Sequence, residues 1–158
     1  MEQIPVDMLY LLAEISAVFL GFSIVASSVK REGFGAIRLF GIVSCAAWIM
    51  VGVFAPVWLV SYGVSEISAL RIAAVLVLLS NGLGWMVQAT LPKMREVLLN
   101  WQTMVPILTA EATIWISLLV VALNLTTSMG SIYSLGILGL FAQPVVLIIA
   151  MIVYADEE

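Results

Sequence analysis

The chain has 158 residues, of which 63% are hydrophobic and only 10% are charged, whereas an ordinary soluble domain is about half apolar and about a quarter charged. A water-soluble core of this size cannot bury so much apolar surface, so the composition excludes an ordinary soluble domain and favours a membrane domain surrounded by lipid. The net charge is -4, and the sequence has no cluster of basic residues that would bind nucleic acid, so we expect no nucleic-acid partner.

Five long apolar segments follow one another along the chain, separated by polar or glycine-containing breaks. They cover residues 8–29, 37–62, 69–91, 104–125 and 132–154. Each is long enough for a membrane helix, which needs about 20 apolar residues, and none shows the alternating pattern of a β-barrel strand. We therefore predict an all-α, polytopic membrane helical bundle with five spans, which forms a single transmembrane domain over residues 1–158.

The basic residues beside the predicted spans indicate an orientation. Five of the six lie in or beside the connections on one side of the membrane, which are those between spans one and two and between spans three and four: Lys30, Arg31, Arg38, Lys93 and Arg95. Arg71 alone falls on the opposite side. The positive-inside rule then places the N-terminus outside and the C-terminus in the cytoplasm. The membrane we predict is the inner (plasma) membrane of the cell.

Two carboxylates fall inside the predicted spans, where a charge is costly and marks a partner, a cavity or a proton path. The first, Glu14, shares a helix face with Ala17 and Gly21, small residues that let another helix approach closely. We therefore expect Glu14 to face protein. It would serve either as a proton or cation site or as a protonated acid that is hydrogen-bonded across a helix interface.

The second carboxylate, Glu111, falls in the inner half of span four, near its first turns. Uncharged polar residues lie between the two acids in depth: Asn81 and Gln88 share a face of span three, and Gln143 lies on span five. Asn81 and Gln143 both fall near the midplane of the membrane. They would either line a wet path between the two carboxylates or bond one another to lock the bundle, which is the commoner use of such side chains.

Small residues on the helix faces predict where helices pack closely. The predicted packing positions are Ala17, Gly21, Gly52, Gly136 and Gly139. Five short helices enclose little interior of their own. There are more small-residue faces than the helix contacts within one bundle require. We therefore predict a homo-oligomer.

The first span resembles the opening helix of small, uncharacterised multi-pass membrane proteins of bacteria. The residues that carry this resemblance are Ala13, Glu14 and Ile15, followed by Gly21 and Phe22. The resemblance implies a bacterial source and a bacterial inner membrane, and it implies no particular activity.

No enzyme signature accompanies these features. The sequence has no His and one Cys, so it contains no Ser/His or Cys/His pair, no His/Cys metal cluster and no pair of haem-ligating histidines. We expect no catalytic activity, no cofactor and no metal. Our hypothesis is a channel or transporter that provides a proton or small-ion pathway, with Glu14 as the principal site and Glu111 as a second. The alternative is a non-catalytic subunit or scaffold in which Glu14 docks against a membrane protein partner.

Overall fold

A computed structural model describes residues 6–29, 34–90 and 101–153, and the described residues form five α-helices without a strand. The helices are α1 (Val6–Val29), α2 (Phe34–Ser61), α3 (Glu66–Ala89), α4 (Trp101–Ala122) and α5 (Met129–Val153). Within the described residues, α2 to α5 each contain a segment long and apolar enough to cross a membrane. This confirms the predicted all-α membrane bundle. The membrane span of α1 and the orientation of the termini stay predictions.

Helices α2 to α5 form a closed four-helix bundle, since α2 and α4 both pack against α3 and against α5. Helix α1 lies outside this bundle. It packs along α2 and touches α5, and among the described residues it makes no contact with α3 or α4. The core of the bundle is filled by apolar side chains of all four helices, among them Ile49, Val77, Ile114 and Ile137, each at most 1% exposed.

Two connections at the same end of the bundle have well-defined helix termini. After α2, Gly63 has a φ of 86°, and the N–H groups of Gly63 and Val64 donate to carbonyls in the last turn of the helix at 2.9 and 3.1 Å. This is the bonding pattern of a helix that ends at a left-handed residue, a conformation that glycine adopts without strain. Asn124, with a φ of 59°, has the same role after α4.

A hydrogen bond from a tyrosine on α5 satisfies a backbone carbonyl that a proline leaves free on α2. Pro56 lacks an N–H group, so it cannot donate to the carbonyl of Gly52 four residues earlier. The hydroxyl of Tyr133 on α5 donates to that carbonyl oxygen instead, at 2.5 Å. Tyr133 is fully buried, and the bond therefore satisfies a backbone group that would otherwise be left without a partner in an apolar interior.

The small residues predicted as packing positions fall into two groups. Gly52, Gly136 and Gly139 lie at tight contacts between helices of the bundle, where an added Cβ would come within 2.6 to 2.9 Å of a side chain on a neighbouring helix. The α1 positions, Ala17 and Gly21, are exposed in the single chain, and no described residue of another helix lies within 4 Å of a Cβ built on Gly21.

Candidate functional site

A carboxyl group lies at the centre of the four-helix bundle. Glu111 is 7% exposed and stands at the middle of α4. Its Oε2 accepts hydrogen bonds from Nδ2 of Asn81 on α3 at 2.8 Å and from Nε1 of Trp115 on its own helix at 3.0 Å. Its Oε1 accepts a hydrogen bond from Nε2 of Gln143 on α5. Three N–H donors therefore surround one buried carboxyl group.

The amide of Gln143 extends this arrangement to α2. Its Oε1 accepts a hydrogen bond from the thiol of Cys45, with an Sγ to Oε1 distance of 3.2 Å. Cys45 is itself buried. Every helix of the bundle thus contributes to one connected group of polar side chains, which we call the Glu111 cluster: Cys45, Asn81, Glu111, Trp115 and Gln143.

The donors of the cluster are all neutral, and they use most of the acceptor capacity of the carboxyl group. Each carboxyl oxygen has two lone-pair sites, so Oε2 is fully occupied by Asn81 and Trp115. The described residues fill only one of the two sites on Oε1, through the bond from Gln143. Arg71, the one basic residue whose side chain the structure describes, bonds at the far end of α4, to the carbonyl of Ala122. Among the described residues, no basic side chain therefore reaches the carboxyl group.

The position of Glu111 along its helix corrects the sequence-based expectation. Helix α4 begins at Trp101, earlier than the predicted span, so Glu111 lies at the middle of the helix and not in its first turns. The positive end of the helix dipole acts only over the first turn. The side chains of the cluster, and not the helix terminus, therefore stabilise this carboxylate.

Glu14 lies apart from the cluster. The buried residues of α1 are on the side that packs against the bundle, and they include Leu9, Leu12, Ala13 and Ser16. Glu14 projects from the other side and is exposed in the single chain. The expectation that Glu14 faces protein is therefore not met within one chain, because α1 is a peripheral helix that buries only one face.

The other predicted polar positions are partly brought together. Asn81 and Gln143 both donate to the carboxyl group of Glu111 and do not bond one another. The side chain of Gln88 lies outside the described part of the structure. Sequence reasoning missed the roles of Trp115 and Cys45. Trp115 follows Glu111 by one helical turn, and this i, i+4 spacing was the available signal, whereas nothing local to Cys45 indicated its contact.

The fold and the cluster define a multi-pass helical membrane protein with an ionisable group in its core. No protein-family model matches the chain, and no curated protein or solved structure shows significant similarity to it.

Proposed function

We propose that the chain provides a pathway for protons or small cations across the membrane, with Glu111 as its central binding site. The observation that carries this proposal is the buried carboxyl group at the middle of the bundle, held by three N–H donors with one acceptor site left on Oε1. Because Glu14 is separate from this cluster, Glu111 replaces it as the principal site.

The chemical identity of the residue supports this role. Neutral amides such as Asn and Gln are sufficient to lock membrane helices together. An acid at the same depth is more costly and is typically found where a proton or an ion is handled. The property that distinguishes Glu111 from an amide is that it can gain and lose a proton or pair with a cation.

Gln143 gives the cluster two arrangements. While Glu111 is ionised, the amide NH2 group of Gln143 points at the carboxylate and its oxygen accepts from Cys45. When a proton binds at Oε1, the carboxyl becomes a donor, and the amide oxygen becomes its better partner. Rotation of the amide would then turn its NH2 group toward Cys45. Proton binding at Glu111 is in this way linked to the hydrogen bond of the thiol.

Buried hydroxyl groups continue the polar positions toward the end of the bundle where α4 ends and α5 begins. Ser117 is 5% exposed and Ser134 is 2% exposed. Ser117 lies six residues after Glu111, or about 9 Å along the axis at 1.5 Å per residue. The hydroxyl of Ser134 donates to the carbonyl of Gly130 at 2.9 Å, so its oxygen remains as an acceptor. The two hydroxyls thus place polar atoms in a largely apolar region, as a pathway through the bundle would require.

A flux measurement tests the proposal. Purified protein in lipid vesicles with an internal pH or cation indicator should show a flux that Glu111→Gln reduces at least about tenfold, since the amide can neither bind a proton nor carry a charge. Glu66→Gln is the matched control, because Glu66 is exposed at the first turn of α3 and its variant should keep the parent flux. Parent protein without flux, or Glu111→Gln with full flux, would refute the proposal.

A second candidate function is favoured by the outer face of α1. Glu14, Ala17 and Gly21 are exposed there, and Val18 is 71% exposed. A carboxylate and small residues together on one apolar face suit contact with another membrane helix. Under this hypothesis the chain is a non-catalytic subunit or forms a homo-oligomer in a bacterial inner membrane. Glu14→Gln should then release the partner or separate the copies without changing the flux.

A further inference from the structure

At the end of the bundle opposite the α1–α2 connection, Arg71 is fixed in position by a single backbone contact. Arg71 lies in the second turn of α3 and its Nε donates to the carbonyl of Ala122, the last residue of α4, at 3.1 Å. A cation at a helix C-terminus is favourable, and this contact uses only one of the five N–H groups of the guanidinium. Among the described residues, no carboxylate forms an ion pair with Arg71 and no acceptor bonds its two Nη groups. The guanidinium therefore keeps its full positive charge and free N–H groups.

An open groove of about 440 Å³ lies beside this guanidinium. Its lining residues are Ser68, Arg71, Ile72, Val75, Leu76 and Ala122. The two polar residues come first along α3, near the helix end, and the apolar ones follow toward the middle of the membrane. From Ser68 to Leu76 the groove extends about 12 Å at 1.5 Å per residue. It is therefore charged at the membrane surface and apolar at depth.

The hydroxyl of Ser68 is also prepared to donate. Ser65 donates its hydroxyl proton to Oγ of Ser68 at 2.9 Å, and Oγ of Ser65 accepts from the backbone N–H of Ser68 at 3.3 Å. The proton of the Ser68 hydroxyl is left for an acceptor outside this pair. A hydroxyl donor and a guanidinium with free N–H groups at one end of the groove form a site for a phosphate group.

We propose that this groove binds a phospholipid. The Nη groups of Arg71 and the hydroxyl of Ser68 hold the phosphate, and an acyl chain lies along Ile72, Val75 and Leu76. Charge complementarity selects a phosphate, which every phospholipid carries, and the apolar continuation of the groove selects a lipid over free phosphate. The bound lipid would fasten α3 to the end of α4. Lipid binding in this groove does not depend on the ion pathway.

Native mass spectrometry of the detergent-solubilised protein, titrated with phosphatidylglycerol, tests the proposal. Wild-type protein should bind one lipid at least about tenfold more tightly than Arg71→Gln. Val75→Trp fills the apolar part of the groove without touching the charge and should weaken binding similarly. The matched control is Val51→Trp on α2, since Val51 and Val75 are 42% and 43% exposed. The control should bind like the wild type.

Two further arms identify the ligand. Diacylglycerol, which lacks the phosphate, should bind the wild type no better than it binds Arg71→Gln, and inorganic phosphate should not displace the bound lipid. Equal phosphatidylglycerol binding by the wild type, Arg71→Gln and Val75→Trp would overturn the proposal. It would also be overturned if diacylglycerol bound as tightly as phosphatidylglycerol, or if free phosphate displaced the lipid. Thermal unfolding of each variant shows that it is folded, and because Arg71→Gln and Val75→Trp alter different parts of the groove, one folded variant suffices to decide.

Discussion

Replacement of Glu111 by leucine should lower the free energy of unfolding of the bundle by several kcal/mol. The apolar side chain removes the acceptor shared by Asn81, Trp115 and Gln143. An average hydrogen bond between membrane helices contributes only about 0.6 kcal/mol. A buried donor left without an acceptor costs about 1–3 kcal/mol, and here the two buried amides of Asn81 and Gln143 lose theirs at once, together with the half-buried indole of Trp115. Thermal unfolding in detergent, followed by circular dichroism, measures the change.

Glu14→Leu is the matched control for this prediction, because it makes the same chemical change on the exposed side of α1. It should alter the free energy of unfolding of the single chain by no more than about 0.5 kcal/mol, as surface substitutions do. Asn81→Leu removes one donor and leaves the carboxyl group with two, so its effect should lie between the two. An equal effect of Glu111→Leu and Glu14→Leu would contradict the hydrogen-bonded cluster.

Replacement of Gly139 by alanine should destabilise the bundle by about 1–3 kcal/mol, the usual cost of overpacking a core. The new Cβ would lie 2.9 Å from Cγ1 of Ile114 and 3.2 Å from the carbonyl oxygen of Ala110. A backbone atom cannot rotate away as a side-chain terminus can, so α5 must move off α4. Because Gly139 lies one turn before Gln143, the same movement should lengthen the bond between Gln143 and Glu111 and reduce the proposed flux.

Gly84→Ala provides the comparison for Gly139→Ala. A Cβ on Gly84 would lie 3.8 Å from Nε1 of Trp48, which is ordinary contact. Alanine is favoured over glycine in a helix by about 1 kcal/mol, so Gly84→Ala should be neutral or stabilising. Equal melting temperatures for the two variants would show that the contact between α4 and α5 is looser than the structure has it.

The sequence predicted the helices well, because lipid requires long apolar segments that satisfy their own backbone groups. It also predicted that Asn81 and Gln143 lie at a common level along their helices, and both reach the carboxyl group of Glu111. It did not predict which face of each helix is buried. The helices are apolar on nearly all sides, so hydrophobic periodicity gives little information about the inward face.

The difference between the expected and the observed surroundings of Glu14 has the same origin. Its small-residue neighbours Ala17 and Gly21 indicated a helix contact, and the sequence could not distinguish a contact inside the chain from one with another molecule. Helix α1 packs outside the four-helix bundle, a placement that depends on how all five helices fit together. The thiol of Cys45 was missed for a similar reason, because its partner Gln143 lies 98 residues away in the chain.

The most direct test of the central claim, that Glu111 takes up and releases a proton in the bundle core, is pH-difference infrared spectroscopy of the protein in lipid nanodiscs. On acidification, the wild type should gain a carboxyl band that Glu111→Gln lacks. The S–H band of Cys45, the only thiol in the sequence, should shift at the same pH as Gln143 rotates. Identical difference spectra for the wild type and Glu111→Gln, at every pH where the bundle stays folded, would contradict the claim.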